Sequence, residues 1–408
     1  MKYLFSIILC AFVFTAQAQD LDYYLNTALK SSPLLKDLNN QIAMGKLDSL
    51  RLRAGLRPQV TGSSTGTYAP VINGFGYESA ITNGQTLNAL IGVNQAVISK
   101  NYLNAQLAAL KLSKDSLGNT INISAQDLKK TITTQYITAY GSLLQYRFNK
   151  EVVDLLTNEE DLLKKLTRNN VYRQSDYLTF LVTLKQQQLT LYQARLQYKN
   201  DFTTLNYLAG IADTTVIEIK DPALQHTYPA DPHNSIFYQQ FKTDSIRLQN
   251  SRKLVDYSYQ PKLNLFADGG YNSDFSYQPY KNFGTSFGFT VTLPIYDGGL
   301  RKLQHKKLSL EEDTRLNYKT FFDKQYRQQV AQLNQQINDN TNLEQQIKDQ
   351  FKYSESLIKV DTQLLQTGDV RIADLIIAIN NYLTVKNLLT QTNISKLQLI
   401  NQLNYWNK

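Results

Sequence analysis

Asp176 and Asp374 come closest, by residue type and spacing, to a chemical site in this 408-residue chain. They lie 374 − 176 = 198 positions apart in matching contexts, Arg173-Gln174-Ser175-Asp176-Tyr177-Leu178 and Arg371-Ile372-Ala373-Asp374-Leu375. Each follows a turn and opens a helix. A carboxylate so placed either caps the helix by accepting free backbone N–H groups, or stands in a ring of like charges built from several copies of the chain, where it raises a neighbour's pKa and attracts cations. Arg371, beside the second turn, either pairs with Asp176 of the other turn or is simply solvated.

The remaining candidates are poorer. Of the three His, His226 and His233 fall in a Pro-rich stretch and His305 among lysines, so all three read as surface residues rather than ligands. Asp297-Gly298-Gly299 lacks the Lys-Ser/Thr of a phosphate loop and reads as a backbone turn from strand into helix. The run Arg301-Lys302 to Lys306-Lys307 has the charge of a nucleic-acid patch. In an exported chain, a solvated helix start or contact with anionic lipid headgroups is favoured instead. No nucleophile–base pair, cofactor motif or metal cluster emerges, which argues against an enzyme and against any cofactor.

Export is written at the N-terminus. Lys2, the apolar run Leu4 to Phe14 and Ala16-Gln17-Ala18 form a secretory signal peptide over 1–18, with the mature chain starting near Gln19. Cleavage removes the single Cys, Cys10, and lowers the net charge from +9 to +8. What remains has no thiol nucleophile and no zinc-thiolate site. Beyond the signal no stretch reaches the ~20 apolar residues of a membrane-spanning helix, and mean hydropathy is −0.37. A membrane crossing would require a closed β-barrel, the other fold that satisfies every backbone group in lipid.

The elements that position these residues follow from glycine and proline. Six of the 18 Gly lie in 57–98 and six in 261–299, while Pro is missing from Ala80 to Ile219 and from Ile295 onward. Because Pro breaks helices, the Pro-free stretches predict very long helices, about 67 residues each from Ser99 to Leu166 and from Leu300 to Gln366, or ~100 Å at 1.5 Å per residue. Their return helices run Asp176–Ala209 and Asp374–Trp406, so that each hairpin of helices closes at the pole opposite the strands. In the second long helix Tyr326, Val330, Leu333, Ile337, Ile347, Phe351, Ile358 and Leu365 form an apolar stripe interrupted at Asn340, Glu344, Ser354 and Asp361. A stripe that narrow suits antiparallel coiled-coil contacts with water on both sides.

The Gly-rich windows alternate with period two, the signature of half-buried strands. Phe283, Thr285, Phe287, Phe289, Val291, Leu293 and Ile295 share one face, opposite Gly284, Ser286, Gly288, Thr290 and Thr292. Leu263, Leu265, Ala267 and Tyr271 oppose Asn264, Asp268 and Gly270, and Leu87, Ala89, Ile91 and Val93 oppose Asn88, Gly92 and Asn94; residues 59–68 alternate weakly. This gives four strands of membrane-spanning length, with Phe287, Phe289, Val291 and Leu293 facing lipid. Four strands cannot close a barrel whose smallest known size is ~8. If these are membrane strands, several copies must share one barrel.

Both halves repeat the order helix, strands, long helix, turn, helix. The expected organisation is a signal peptide (1–18), a first repeat (19–220; strands about 57–98, helices about 99–209), a linker (221–233), and a second repeat (234–408; strands about 261–296, helices about 300–407).

On these residues the chain resembles the TolC family of outer-membrane efflux proteins. Leu293-Pro294-Ile295-Tyr296-Asp297-Gly298-Gly299 is similar to the family's strand-to-helix junction, Gly368 through Asp374 to its helical turn, and Ala28-Leu29-Lys30-Ser31-Ser32-Pro33-Leu34 to its opening helix, with Ser32 where Asn is usual. The resemblance implies a mainly α fold with a transmembrane β-barrel portion: a homotrimer with a twelve-stranded barrel in outer-membrane lipid and a coiled-coil tunnel across the periplasm. It implies an exit duct for tripartite efflux or type I secretion, served by a periplasmic adaptor and an inner-membrane RND or ABC pump, with no role for nucleic acid. It also implies a periplasmic gate in which Asp374 matches the first member of an aspartate pair and Asp176 the equivalent position in the first repeat, with Gly368 and Arg371 beside them. The second aspartate position is Ile377, the gate tyrosine is Leu365, and Arg371 sits one residue late. The competing reading is a soluble periplasmic coiled-coil structural or adaptor protein.

Overall fold

The structure, a computed structural model, describes residues 20–77, 84–227, 235–275 and 278–407. The signal peptide with Lys2 and Cys10, His233, and parts of the linker and of both strand-joining loops lie outside the described residues. The elements are α1 (Leu21–Ser31), α2 (Pro33–Gly55), β1 (Gln59–Tyr68), β2 (Gln85–Val97), α3 (Lys100–Arg168), α4 (Gln174–Ala209), α5 (Ile236–Ser258), β3 (Lys262–Ser273), β4 (Phe283–Thr292), α6 (Leu300–Thr367) and α7 (Ile372–Trp406). A short 3-10 turn, Pro279–Lys281, lies between β3 and β4. The long helices α3 and α6 run unbroken for 69 and 68 residues, as the absence of Pro predicts.

The chain divides into two compact units that each draw on both repeats: 1–35, 123–235 and 324–408 form one, and 36–122 with 236–323 the other. The first unit is helical. One apolar cluster joins Tyr24, Ile132, Tyr136, Leu143, Phe202 and Leu205, with Tyr24 and Tyr136 edge to face. The extended segment after α4 is pinned onto this cluster where Tyr136 donates to the Lys220 carbonyl and Tyr198 to that of Ile217. A second cluster, around Phe148, Leu156, Leu163, Phe180, Leu365 and Leu375, packs the ends of α3 and α6 against the starts of α4 and α7. His226, expected at the surface, is half-buried with Nε2 3.1 Å from Asn334 Oδ1.

The second unit holds a four-stranded antiparallel sheet in the order β1-β2-β3-β4. Register sets Val60 beside Val93, Val93 beside Ala267 and Ala267 beside Phe287, so the alternating apolar positions expected in the four strands share one face. That face is uncovered: Phe287 is 89% exposed, Phe289 70% and Val291 57%. Leu293, expected on the last strand, lies just past its end, because β4 stops at Thr292 before Pro294. The opposite face is less polar than the alternation suggests. Leu90 and Phe266 sit on it, and Phe266 lies over Gly288, where an added Cβ would meet its ring at 2.7 Å. The glycine makes room for the aromatic.

Candidate functional site

In the helical unit the two turns at the ends of α3 and α6 are the same structure built twice. Asn170 (φ 60°) and Gly368 (φ 82°) adopt the left-handed conformation that ends a helix. Val171 N–H then donates to the Leu166 carbonyl and Asp369 N–H to that of Leu364, at 3.0 and 3.1 Å. Asn170 and Gly368 are 198 positions apart, as are Asp176 and Asp374. The return helices start from extended Arg173 and Arg371, neither of which offers a side-chain cap.

Neither aspartate is itself the N-cap residue, although the Asp374 carboxylate still serves the helix end by reaching back to the backbone N–H of Arg371. Each occupies the third helical position, inside the first turn, where a negative charge still meets the positive end of the helix. Arg371 is not partnered by Asp176 and not merely solvated. Its guanidinium grips Asp374 of its own helix with two bonds of 2.8 Å, which holds the Asp374 carboxyl below its ordinary value. Asp176 receives the Ser175 hydroxyl at 3.3 Å instead. Residues three apart on a helix are neighbours, so local geometry wins over a reach to the other hairpin.

The link between the turns comes from elsewhere. Tyr172 donates to the Val370 carbonyl at 2.9 Å and to that of Leu365 at 3.3 Å, while Val171 sits 2.9 Å from where a Cβ on Gly368 would be. Leu365, which the resemblance sets at the gate tyrosine, is fully buried; Ile377, which it sets at the second aspartate, is 57% exposed. Asp361, an interruption of the apolar stripe, is buried, and its carboxyl is pushed upward first by burial and then by the charge of Asp374.

In the sheet unit the junction motif is a helix start. After Pro294 the chain turns through Gly298 (φ 67°) and Gly299 (φ 85°), and the Asp297 carboxylate accepts the N–H groups of Gly299 and Arg301, both at 2.8 Å. This is capping by Asp297, with the carboxyl held low by the Tyr259 hydroxyl and by those amides. His305 is half-buried rather than at the surface, and shares Asp256 Oδ1 with Arg301 at 3.0 and 2.7 Å. Among the described residues, no helix is long and apolar enough to cross a membrane, and no three or more His, Cys, Asp or Glu gather where a metal could be held.

An open antiparallel sheet with one bare apolar face, beside helices of nearly seventy residues, is an unusual combination, and solved structures share it. The outer membrane protein VceC from Vibrio cholerae aligns over 95% of this chain and 96% of its own, with a TM-score of 0.74 at 13% identity. The fold is that of the TolC-like outer-membrane channels. CusC aligns over 95% of this chain and 92% of its own (TM-score 0.77, 10% identity), and the MtrE outer membrane channel of Neisseria gonorrhoeae over 95% and 88% (TM-score 0.73, 12% identity). No protein-family model matches the sequence, and no curated protein matches it. The TolC-like resemblance of the sequence is thus carried by fold at identities where little of the sequence itself survives.

Proposed function

We propose that the chain is one protomer of a trimeric outer-membrane exit duct. The observation that carries this reading is the sheet: four strands, one continuous bare apolar face, and two unpaired edges at β1 and β4. Lipid is the solvent in which such a face is stable, and closure is the condition for its edges to survive there. The strands alternate in direction, so β4 of one copy meets β1 of the next antiparallel, and three copies make twelve strands without breaking the pattern. In the duct, Phe287, Phe289 and Val291 meet acyl chains, Pro294, Gly298 and Gly299 turn the wall from strand to helix, and the turns bearing Gly368, Arg371, Asp374 and Asp176 form the periplasmic mouth.

A duct of this kind performs no bond chemistry. An inner-membrane RND or ABC pump chooses and drives the cargo, and a periplasmic adaptor joins pump to duct. The test is the purified, detergent-solubilised protein: a trimer mass together with single-channel conductance in planar bilayers supports the reading, and a water-soluble monomer without conductance replaces it with the soluble coiled-coil adaptor.

A further inference from the structure

Within the sheet unit all four helices that flank the strands leave from one end of the sheet, because Gln59 pairs in line with Asn94, Val97 with Leu263 and Lys262 with Thr292. Charge is distributed unevenly among them. The twelve residues 46–57 leading into β1 hold Lys46, Arg51, Arg53 and Arg57 against Asp48, a net +3; residues 296–307 after β4 hold Arg301, Lys302, Lys306 and Lys307 against Asp297, again +3. The equivalent windows on the central strands, 98–109 and 250–261, each come to +1. The excess is confined to the two edges. Local pairing only partly offsets it: Arg51 lies 3.7 Å from Asp48, Arg301 is held by Asp256, and Lys307 is 4.0 Å from Glu311. Among the described residues, Arg53, Arg57, Lys302 and Lys306 form no ion pair. Leu47, Leu50, Leu300 and Leu303 are each at least half exposed among these charges.

From this placement we infer that each seam between protomers carries a binding site for the phosphates of anionic phospholipid at the helix-side boundary of the barrel. The inference rests on the trimeric duct proposed above: once β4 of one copy pairs with β1 of the next, two +3 segments lie side by side just beyond the apolar band. Like charges repel unless an anion lies between them. The exposed leucines beside them suit acyl chains, and a bilayer supplies phosphate and chain together, which a free anion does not. Arginine and lysine differ in what they add. The arginines of 51–57 offer planar forks for bidentate phosphate contacts, and Lys302 and Lys306 act as point charges.

The experiment uses the full chain purified as its trimer in neutral detergent, titrated with phosphatidylglycerol, phosphatidylcholine or inorganic phosphate while thermal unfolding is followed. Phosphatidylglycerol should raise the midpoint, phosphatidylcholine and inorganic phosphate should not, and raised salt should weaken the effect. Each basic side chain near an anionic surface is worth about fivefold in affinity. Replacing Arg51, Arg53 and Arg57, or Lys302, Lys306 and Lys307, by Gln should therefore weaken phosphatidylglycerol binding about a hundredfold, whereas the control replacement of Lys111, Lys114 and Lys319 by Gln should leave it unchanged. Equal responses of the edge and control variants, or an equal shift with inorganic phosphate, would overturn the inference. Should an edge variant fail to assemble, native mass spectrometry of the wild type decides: preferential, salt-sensitive retention of phosphatidylglycerol supports the site, and equal retention of phosphatidylcholine removes it. A conducting trimer without lipid preference fails this inference alone, while a non-conducting monomer fails the duct and the seam with it.

Discussion

At the scale of single residues, the turns show how a repeat keeps its geometry while exchanging its contacts. Asp361 occupies the place of Leu163 in the other long helix, 361 − 198 = 163, and both are buried. A carboxyl whose pKa is raised in the folded state stabilises below its ordinary value of 3.8 and loses that contribution as pH rises through its folded value. Asp361→Leu should therefore stabilise the detergent-purified protein at neutral pH, by roughly 1 kcal/mol, and its advantage in thermal midpoint should shrink as pH falls towards 3.8. Asp374 has the opposite sign: held low by Arg371, it stabilises above 3.8 and loses this only as acid protonates it through its lower folded value. The sequence points to Asp374 and Arg371 but not to their partnership, which the three-residue spacing on one helix supplies. Tyr172 goes unnoticed because its counterpart is Val370, so the repeat offers no matching signal. Tyr172→Phe should cost about 1 kcal/mol and speed hydrogen exchange of amides 366–371; unchanged exchange there would mean that the hydroxyl does not tie the turns.

At the scale of elements, the sequence is most legible where local rules act alone. The Pro-free stretches contain α3 and α6, whose ends fall within two residues of the expected bounds, and period-two alternation finds three strands clearly and β1 only weakly. It fails where a tertiary contact decides. Phe266 can occupy the less apolar face only because Gly288 lies across from it, and Leu293 leaves the strand because Pro294 cannot continue the ladder. The glycines at the turns separate two sources of cost. Gly298→Ala meets nothing within 4 Å and pays only for its left-handed backbone, about 1 kcal/mol. Gly368→Ala pays that and also drives a Cβ to 2.9 Å from Val171, so its loss of thermal stability should be about twice as large. Equal midpoints for the two variants would show that Val171 yields freely and that the turns are not packed together.

At the scale of the whole molecule, the proposed oligomer rests on an inequality between strands available and strands needed. Nothing in one chain's sequence writes the β4-to-β1 contact, since each edge reads as an ordinary strand until the sheet is seen to be open. The contact can be trapped chemically, and with the signal peptide removed the chain brings no cysteine of its own to confuse the result. Ser64 lies on the apolar face of β1, paired with Ala89, and Phe287 lies on the same face of β4, paired with Ala267. A disulfide needs Cβ atoms about 3.5–4.5 Å apart, so only the correct register will cross-link. Ser64→Cys should therefore be combined in turn with Thr285→Cys, Phe287→Cys and Phe289→Cys, which step along one face of β4. In a closed ring one of these pairs should yield disulfide-linked dimers and trimers on non-reducing gels, while the single-cysteine variants remain monomeric. Within one chain β1 and β4 are separated by two strands spaced about 4.8 Å apart, too far for an internal bridge, so any product in the ladder must join copies. The ladder should stop at three, because a ring of twelve strands leaves no edge for a fourth chain; larger species would mean open, edge-to-edge association, and no cross-link in these pairs or in the two that complete the face, with Phe283→Cys and Val291→Cys, would mean that β1 and β4 do not meet.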